Sequence, residues 1–522
     1  MIVVTNDYTS FDQVFLDSAL FKKPLSRTAE DFILKNSVLI SQTFFDEAKI
    51  YMLALNPESC QILKSNIFKI TNMIKNGGCK VSSQTDSFDI CQIALELSRR
   101  NKRVCVITEN EEMIDRLISE GTADVYDLNR DMLLNRNIYF RSEVFIDISN
   151  RQRITDIRAG TSLSLGDNRN YTLGKSLNTF GREGKIYEIA SQPDLVAKIY
   201  KKHPSPERCA HIKKLLEIGK KMNVNWCLFP KDILYSDGQI VGFTMQKIST
   251  KMLSEDSLFT GDNDNIDSDR LSLRRSYVLN LCLTLLAQIR VLNCYGLSVP
   301  DYNDGNFSWF FENKNITMFD TDSFIHGNYF GNTTDDAAFS RRYSPKNKNQ
   351  LSLMCEEGAL KLMFRLISLG LHPFIAPNQP YRFTTTDSAF SFRRSYFADN
   401  VISYLDDVFT ARKDPSISLA IHELCLASKE IADTNPRKNI TIQKMVQDAA
   451  QSSSPYEVTY TPVKATAASA TPEPIVWHNY TRSVPEPKPA RRKKRAWPWV
   501  VTSLTLLLAG IAYFLISKGI IF

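Results

Sequence analysis

The chain has 522 residues, enough for two or three domains, and its 43% hydrophobic and 23% charged residues exclude a disordered, collagen-like or multi-span membrane chain. Its formal charge of +7 does not mark a nucleic-acid-binding body, because Lys488, Arg491, Arg492, Lys493, Lys494 and Arg495 carry most of that excess and the remainder is close to neutral. Ten scattered cysteines with no Cys-x-x-Cys pair, and six histidines without metal spacing, argue against a thiolate zinc site and for a reducing compartment.

Met1-Ile2-Val3-Val4 passes into polar residues at Thr5 without a basic leader, so no N-terminal signal peptide is expected. Aliphatic runs at Ile2–Val4, Val38–Ile40, Val104–Ile107 and Ala123–Tyr126 predict strands. Between them Ile62, Ile67, Ile70 and Ile74, then Ile90, Ala94, Leu95 and Leu97, keep partial helical phase until Arg99-Arg100-Asn101-Lys102 breaks it. Strands alternating with helices over residues 1–150 predict an α/β domain with a parallel sheet. Residues 151–173 read as a connector, with a further strand candidate over 154–165.

From Tyr171 the pattern changes to hairpins, with strands at Lys185–Ile189, Leu195–Tyr200, Ile233–Tyr235 and Val241–Met245 and an Asp237-Gly238 turn between the last two. Tyr277–Leu292 is apolar enough to be almost wholly buried. Asn280, Gln288 and Arg290 interrupt it, which favours a core helix over a membrane span.

Four separated elements in this region carry chemistry. Gly181-Arg182-Glu183-Gly184 forms a turn between strands where glycine lets backbone close over phosphates, and Lys198 follows on a strand, suited to holding nucleotide phosphates. After the buried helix comes Asp301, with Asn306 five residues on, and Asp320-Thr321-Asp322 follows the short strand Ile316–Phe319. Phosphoryl transfer needs this set: one carboxylate orients the attacking hydroxyl, while an amide oxygen and a second carboxylate hold Mg²⁺ on the phosphate oxygens.

Residues 451–489 shift to Ser, Thr, Ala and Pro, a composition that cannot bury enough apolar surface to offset its ordering entropy, and read as a flexible tether. The basic cluster, Trp497-Pro498-Trp499 and the uncharged run Val500–Ile516 then predict a single membrane helix over 497–517, with the cations and the globular body on the cytoplasmic side. A buried C-terminal helix is the other reading of that run.

The elements between about 171 and 450 resemble the protein-kinase-like superfamily, especially bacterial membrane-anchored relatives of eukaryotic-type Ser/Thr kinases with a Gly-x-x-Gly-x-Val-Tyr loop and an Asp-x-Asp-Ser-Phe motif. The resemblance implies an ATP site in which Gly181, Gly184 and Lys198 hold phosphates, Asp301 is the catalytic base, and Asn306 and Asp320 bind Mg²⁺ or Mn²⁺, with Asp322 an auxiliary or alternative ligand. It further implies a glutamate partner for Lys198, Glu217 in preference to Glu207, and a hinge to adenine beginning at Met245. The chain departs from the family at Thr179 in place of the first glycine, at Val299-Pro300 before Asp301, at Cys355 in place of a bracing aspartate, and in lacking Ala-Pro-Glu.

Residues 1 to about 130 are similar to PIN-type nucleases, which cut RNA with acids around Mg²⁺ or Mn²⁺. The resemblance implies Glu47 and Asp89 as site acids, with Asp7, Asp86 and Glu109 compensating for Val4 and Asn110 where the family has aspartates. A degenerate binding or regulatory module is favoured over an active nuclease, so nucleic acid is an unlikely partner.

The resulting expectation is an α/β PIN-like domain (1–150), an α+β two-lobed protein-kinase-like domain (165–450), a linker with its basic cluster (451–495) and a C-terminal single transmembrane helix (497–517). Its activity would be transfer of the γ-phosphoryl group of Mg-ATP to Ser/Thr hydroxyls of a protein substrate. A nucleotide-binding pseudokinase scaffold, a PIN-type RNase regulated by the kinase-like part, and a small-molecule kinase stand as alternatives.

Overall fold

Val14-Phe15-Leu16, Val38-Leu39-Ile40 and Val104–Thr108 are short apolar runs covered on both faces, as central strands of a parallel sheet must be. In the computed structural model they are β1 (Gln13–Leu16), β2 (Val38–Ile40) and β4 (Val104–Thr108), joined by β3 (Cys79–Val81), β5 (Asp124–Asp127) and β6 (Met132–Leu134). Strand order is β3-β2-β1-β4-β5-β6, parallel throughout except for the antiparallel pair β5 and β6. The structure describes residues 11–41, 43–82, 89–120, 123–134, 145–147, 151–167, 169–177, 183–247, 268–302, 306–310, 315–331, 343, 348–367 and 397–434.

The crossover helices α1 (Arg27–Lys35), α2 (Phe44–Tyr51), α3 (Pro57–Lys75), α4 (Ile90–Arg99) and α5 (Glu111–Ser119) mostly begin at side-chain caps. Ser26, Asn56, Asp89 and Asn110 each accept a hydrogen bond from the backbone N–H three residues on, satisfying a donor that the first helical turn leaves without a partner. The strand expected at Ile2–Val4 lies outside the described residues, and Gln13–Leu16 holds the central place in the sheet.

The next strands are β7 (Phe145–Asp147), β8 (Ser162–Ser164), β9 (Asn170–Ser176), β10 (Gly184–Ile189), β11 (Gln192–Tyr200), β12 (Asp232–Ser236) and β13 (Gln239–Gln246), with helix α6 (Pro206–Met222) between β11 and β12. β8 to β13 close into a barrel in the order β10-β11-β13-β12-β8-β9. Asp237 and Gly238 both have positive φ, at 50° and 75°, which is the twist a two-residue hairpin requires and explains the Asp-Gly pair there.

The long helix Ser268–Cys294 is the core helix expected: from Val278 to Cys294 every side chain is buried, and Gln288 donates to the carbonyl of Ile316 at 2.8 Å. It leads into β14 (Leu297–Ser298), the hairpin β15 (Phe307–Phe310) and β16 (Asn315–Met318), β17 (Ile325–His326) and β18 (Tyr329–Gly331). β18 pairs in parallel with β7, so a strand from before residue 150 joins the sheet β14-β17-β18-β7. Helices Lys348–Ile367, Asp399–Phe409 and Ile417–Thr434 complete the body.

One apolar cluster runs without a break from Leu16, Phe44 and Tyr51 of the α/β layer through Leu281 and Leu285 to Leu360, Phe364 and Ile421. Burying each such side chain contributes about 1.5–3 kcal/mol, so each layer depends on the other for much of its stability. The chain divides into compact units 1–475 and 476–522, and all described residues fall in the first. The expected linker 451–495 and membrane helix 497–517 lie outside the described residues, among which no helix is long and apolar enough to cross a membrane.

Candidate phosphate and metal site

Lys198 lies on β11 between β10 and β13, and glycines let both neighbours approach its backbone closely. A Cβ at Gly242 would stand 2.1 Å from the Lys198 carbonyl oxygen, and one at Gly184 would stand 2.9 Å from the Ile199 carbonyl oxygen and 3.3 Å from Lys198 Cγ. Gly184 therefore carries the turn over the lysine, and Gly242, which the sequence analysis did not single out, lets β13 close behind it.

The Lys198 ammonium is buried and ion-paired with Asp320, and its Nζ lies 2.6 Å from Asp322 Oδ1. The other oxygen of Asp322, Oδ2, accepts from the Tyr200 hydroxyl at 2.8 Å and from Arg208 Nη2 at 3.0 Å. Arg208 Nη2 is also 2.6 Å from Glu183 Oε2. Burial alone would drive the proton off Lys198, but Asp320, Asp322 and Glu183 outweigh it and hold the lysine pKa above its ordinary value. Burial likewise opposes charge on Asp322, yet the cations of Lys198 and Arg208 hold its carboxyl well below the usual carboxylate range.

The β15/β16 hairpin sets Asn306 beside this cluster. Phe307 pairs with Met318, and the N–H of Phe319 donates to the carbonyl of Asn306 at 3.1 Å, one residue before Asp320. Asp320 has φ of 60°, a left-handed position that aspartate tolerates better than most residues. Its carbonyl accepts from the Ser323 N–H at 3.0 Å and the Ser323 hydroxyl at 2.7 Å, while the Thr321 hydroxyl donates to Leu228 O at 3.0 Å, so the Asp-x-Asp turn is pinned on both sides. Asp301 is half-buried and follows β14, whose Ser298 pairs with Ile325 of β17. That ladder brings the Asp301 segment alongside the end of the Asp-x-Asp turn. Tyr302 stacks on Phe307 with ring centroids 5.9 Å apart.

The structure departs from the expected roles at two positions. Asp322 is not available to a metal: its side chain is 0% exposed and both oxygens are taken by Lys198, Tyr200 and Arg208. Glu217 does not face Lys198; its side chain is 60% exposed and pairs with Lys214 at 3.4 Å, a helix neighbour. The acids acting on Lys198 are Asp320, Asp322 and Glu183. Met245 is buried near the end of β13, paired with Val196. Gly181 lies outside the described residues.

Among the described residues no group of three or more His, Cys, Asp or Glu is placed to hold a metal ion. Asn306 and Asp320 carry an amide and a carboxylate oxygen, donor types that Mg²⁺ accepts in small number alongside phosphate oxygens and water.

A second acid cluster sits at the C-terminal edge of the parallel sheet, between β1 and β4, where strand order reverses and α/β sheets form their crevice. Asp17, directly after β1, accepts from the Thr108 hydroxyl at 2.7 Å; Glu47 on α2 accepts from the Ser18 hydroxyl at 2.6 Å and the Thr43 hydroxyl at 3.0 Å. Glu109, after β4, accepts from the N–H groups of Phe21 at 2.7 Å and Lys22 at 2.8 Å. Burial pushes Glu47 up to about 7 and Glu109 up to about 8.

The long helix packs against this crevice. Arg290 Nη2 stands 3.9 Å from Asp17 Oδ1, and Lys22 Nζ ties Glu109 O, at 3.0 Å, to Cys294 O, at 2.8 Å. Asp89 caps α4 and bonds the Ser416 hydroxyl, so it is held in the packing between layers. Asp7 and Asp86 lie outside the described residues. Among the described residues these acids form no group that could hold a metal ion. Asp17 is absent from the resemblance, which sets the first strand at Val3-Val4. Its signal was legible: Val14-Phe15-Leu16 is an apolar run ending in an acid.

No family model and no curated protein matches the sequence. Among solved structures, the chain is similar to the BubR1 kinase domain, at 14% identity and TM-score 0.36, over 57% of this chain and 89% of that one. It is also similar to ROP2 from Toxoplasma gondii, described as a virulence factor with a protein-kinase fold and no enzymatic activity, at 13% identity and TM-score 0.37, over 54% of this chain and 88% of that one. At these values neither neighbour decides fold or activity.

Proposed function

We propose that residues 165–450 bind ATP with Mg²⁺ or Mn²⁺ and transfer its γ-phosphoryl group to a Ser/Thr hydroxyl of a protein. The observation that carries this reading is the meeting of Lys198 with Asp320, side chains 122 residues apart in sequence, under the close backbone of Gly184. An ammonium beside a carboxylate at a glycine turn is what a triphosphate with its counter-ion requires.

On this reading Lys198 exchanges its contact with Asp320 for phosphate oxygens. Asn306 and Asp320 would hold the divalent ion, which supplies positive charge against the phosphates. Asp301 accepts the proton of the attacking hydroxyl. The run 497–517 would confine the body to the cytoplasmic face of a membrane, favouring substrates there. The α/β layer acts as a packing and regulatory module rather than as a nuclease, because its crevice is filled by Arg290 and its acids are bonded to neighbours.

The test is Mg²⁺-dependent ATP binding by the purified full chain, followed by transfer of labelled γ-phosphate to protein. Lys198→Met should abolish binding, and Asp301→Asn should preserve binding while removing transfer. Binding by the unaltered chain without any transfer would replace the kinase reading with that of a nucleotide-binding scaffold.

A further inference from the structure

We infer that Arg208 is a positioning residue that clamps the glycine turn to the Asp-x-Asp turn across the nucleotide site, an inference that rests on the phosphotransfer reading above. Arg208 belongs to the first turn of α6, where its N–H is capped by the Ser205 hydroxyl at 2.8 Å. From there Nη2 reaches Glu183, the residue before Gly184, at 2.6 Å and Asp322 at 3.0 Å, while the guanidinium lies 4.7 Å from the centre of the Tyr200 ring. One side chain, 14% exposed, thereby joins three elements distant in sequence.

The chemistry of the cluster shows why such a clamp is needed. Lys198 neutralises both Asp320 and Asp322, and once a metal and phosphates draw it away from Asp320, Asp322 remains fully buried with the rest of its charge to be met. Tyr200 offers a neutral hydroxyl, so the second full positive charge on Asp322 is that of Arg208. The same guanidinium fixes Glu183 and with it the start of β10, whose Gly184 lies over Lys198. The guanidinium plane lying over the Tyr200 ring suits arginine and not lysine. Glu217, the acid that the sequence suggested for this helix, is turned to solvent instead.

The experiment is a double-mutant cycle in the full chain on ATP affinity and turnover, using Arg208→Met and Glu183→Gln. Arg208→Met should raise Kd and KM for Mg-ATP about tenfold, the size of a hydrogen-bonded charge pair, with a smaller effect on kcat. Arg208→Lys should recover only part of the loss. In the Glu183→Gln background the Arg208→Met effect should shrink to about threefold, the remainder being the contact with Asp322 that this background keeps. Glu183 is half-exposed, so that variant probes the clamp without opening the core. Effects that multiply independently, or an Arg208→Met chain that binds ATP as well as the unaltered one, overturn the clamp while leaving the phosphotransfer reading in place. An unaltered chain that binds no nucleotide overturns both.

Discussion

Arg290 directs its Nη2 to within 3.9 Å of Asp17 Oδ1, from a helix that begins 251 residues later in the chain. Buried carboxylates at the end of a parallel sheet are costly without a cation, and here the cation is supplied by the long core helix. Arg290→Met should leave Asp17 and Glu47 without it and destabilise the chain by about 3–5 kcal/mol. Equilibrium denaturation of the full chain checks this, and an unchanged midpoint would contradict it.

The same filling of the crevice bears on RNA cleavage. With Mn²⁺ and structured RNA the full chain should show no cleavage that depends on Glu47. Cleavage abolished by Glu47→Gln would show that the acids of this crevice do reach a substrate.

Glu47, at about 7, and Glu109, at about 8, are raised chiefly by burial, with Asp17 adding to the shift while Arg290 and Lys22 oppose it. A carboxyl with a higher pKa in the folded state than in the unfolded one keeps its proton on folding. Its contribution to stability is therefore complete below the ordinary carboxylate range and is lost as pH rises through 7 to 8. Stability should fall from about pH 4.5 to about pH 8, most steeply below pH 7 where both groups contribute, and Glu109→Gln should flatten that slope by up to about 1.4 kcal/mol per pH unit. Denaturation midpoints measured across this range decide it, and a slope identical in both proteins would contradict the assignment.

Asp322, expected as an auxiliary metal ligand, pairs with Lys198 in place of Glu217, which faces solvent. Asp322→Asn should weaken ATP binding about tenfold or more, by removing the charge shared by Lys198 and Arg208, whereas Glu217→Gln should leave it within about twofold. Titration with a fluorescent ATP analogue separates the two, and the reverse order would restore the glutamate.

Local pattern made much of this legible. The aliphatic runs at 38–40, 104–107 and 195–200, the Asp237-Gly238 turn and the core helix all follow from period and composition, and all are found where those rules put them. The kinase-like resemblance sets Lys198 and Asp320 in one site but names Glu217 as the lysine's partner, and the structure pairs Lys198 with Asp320. What local pattern could not supply is which charges pair across elements. The choice between Glu217 and Asp322 depends on the rotation of α6, which turns Arg208 inward and Glu217 outward. The role of Arg290 needed the packing of one layer on another, since within its helix it reads only as a polar interruption. β3, Cys79-Lys80-Val81, has a lysine at its centre and only its first residue buried, so no aliphatic run marks it.

The central claim is that Lys198 and Asp320 grip a triphosphate between them. The direct measurement is calorimetric titration of the full chain with ATP, with and without Mg²⁺, comparing the unaltered protein with Lys198→Met and Asp320→Asn. The account predicts saturable binding that requires the ion and is lost in both variants. Binding that is absent from the unaltered chain, or that survives both substitutions, would contradict it.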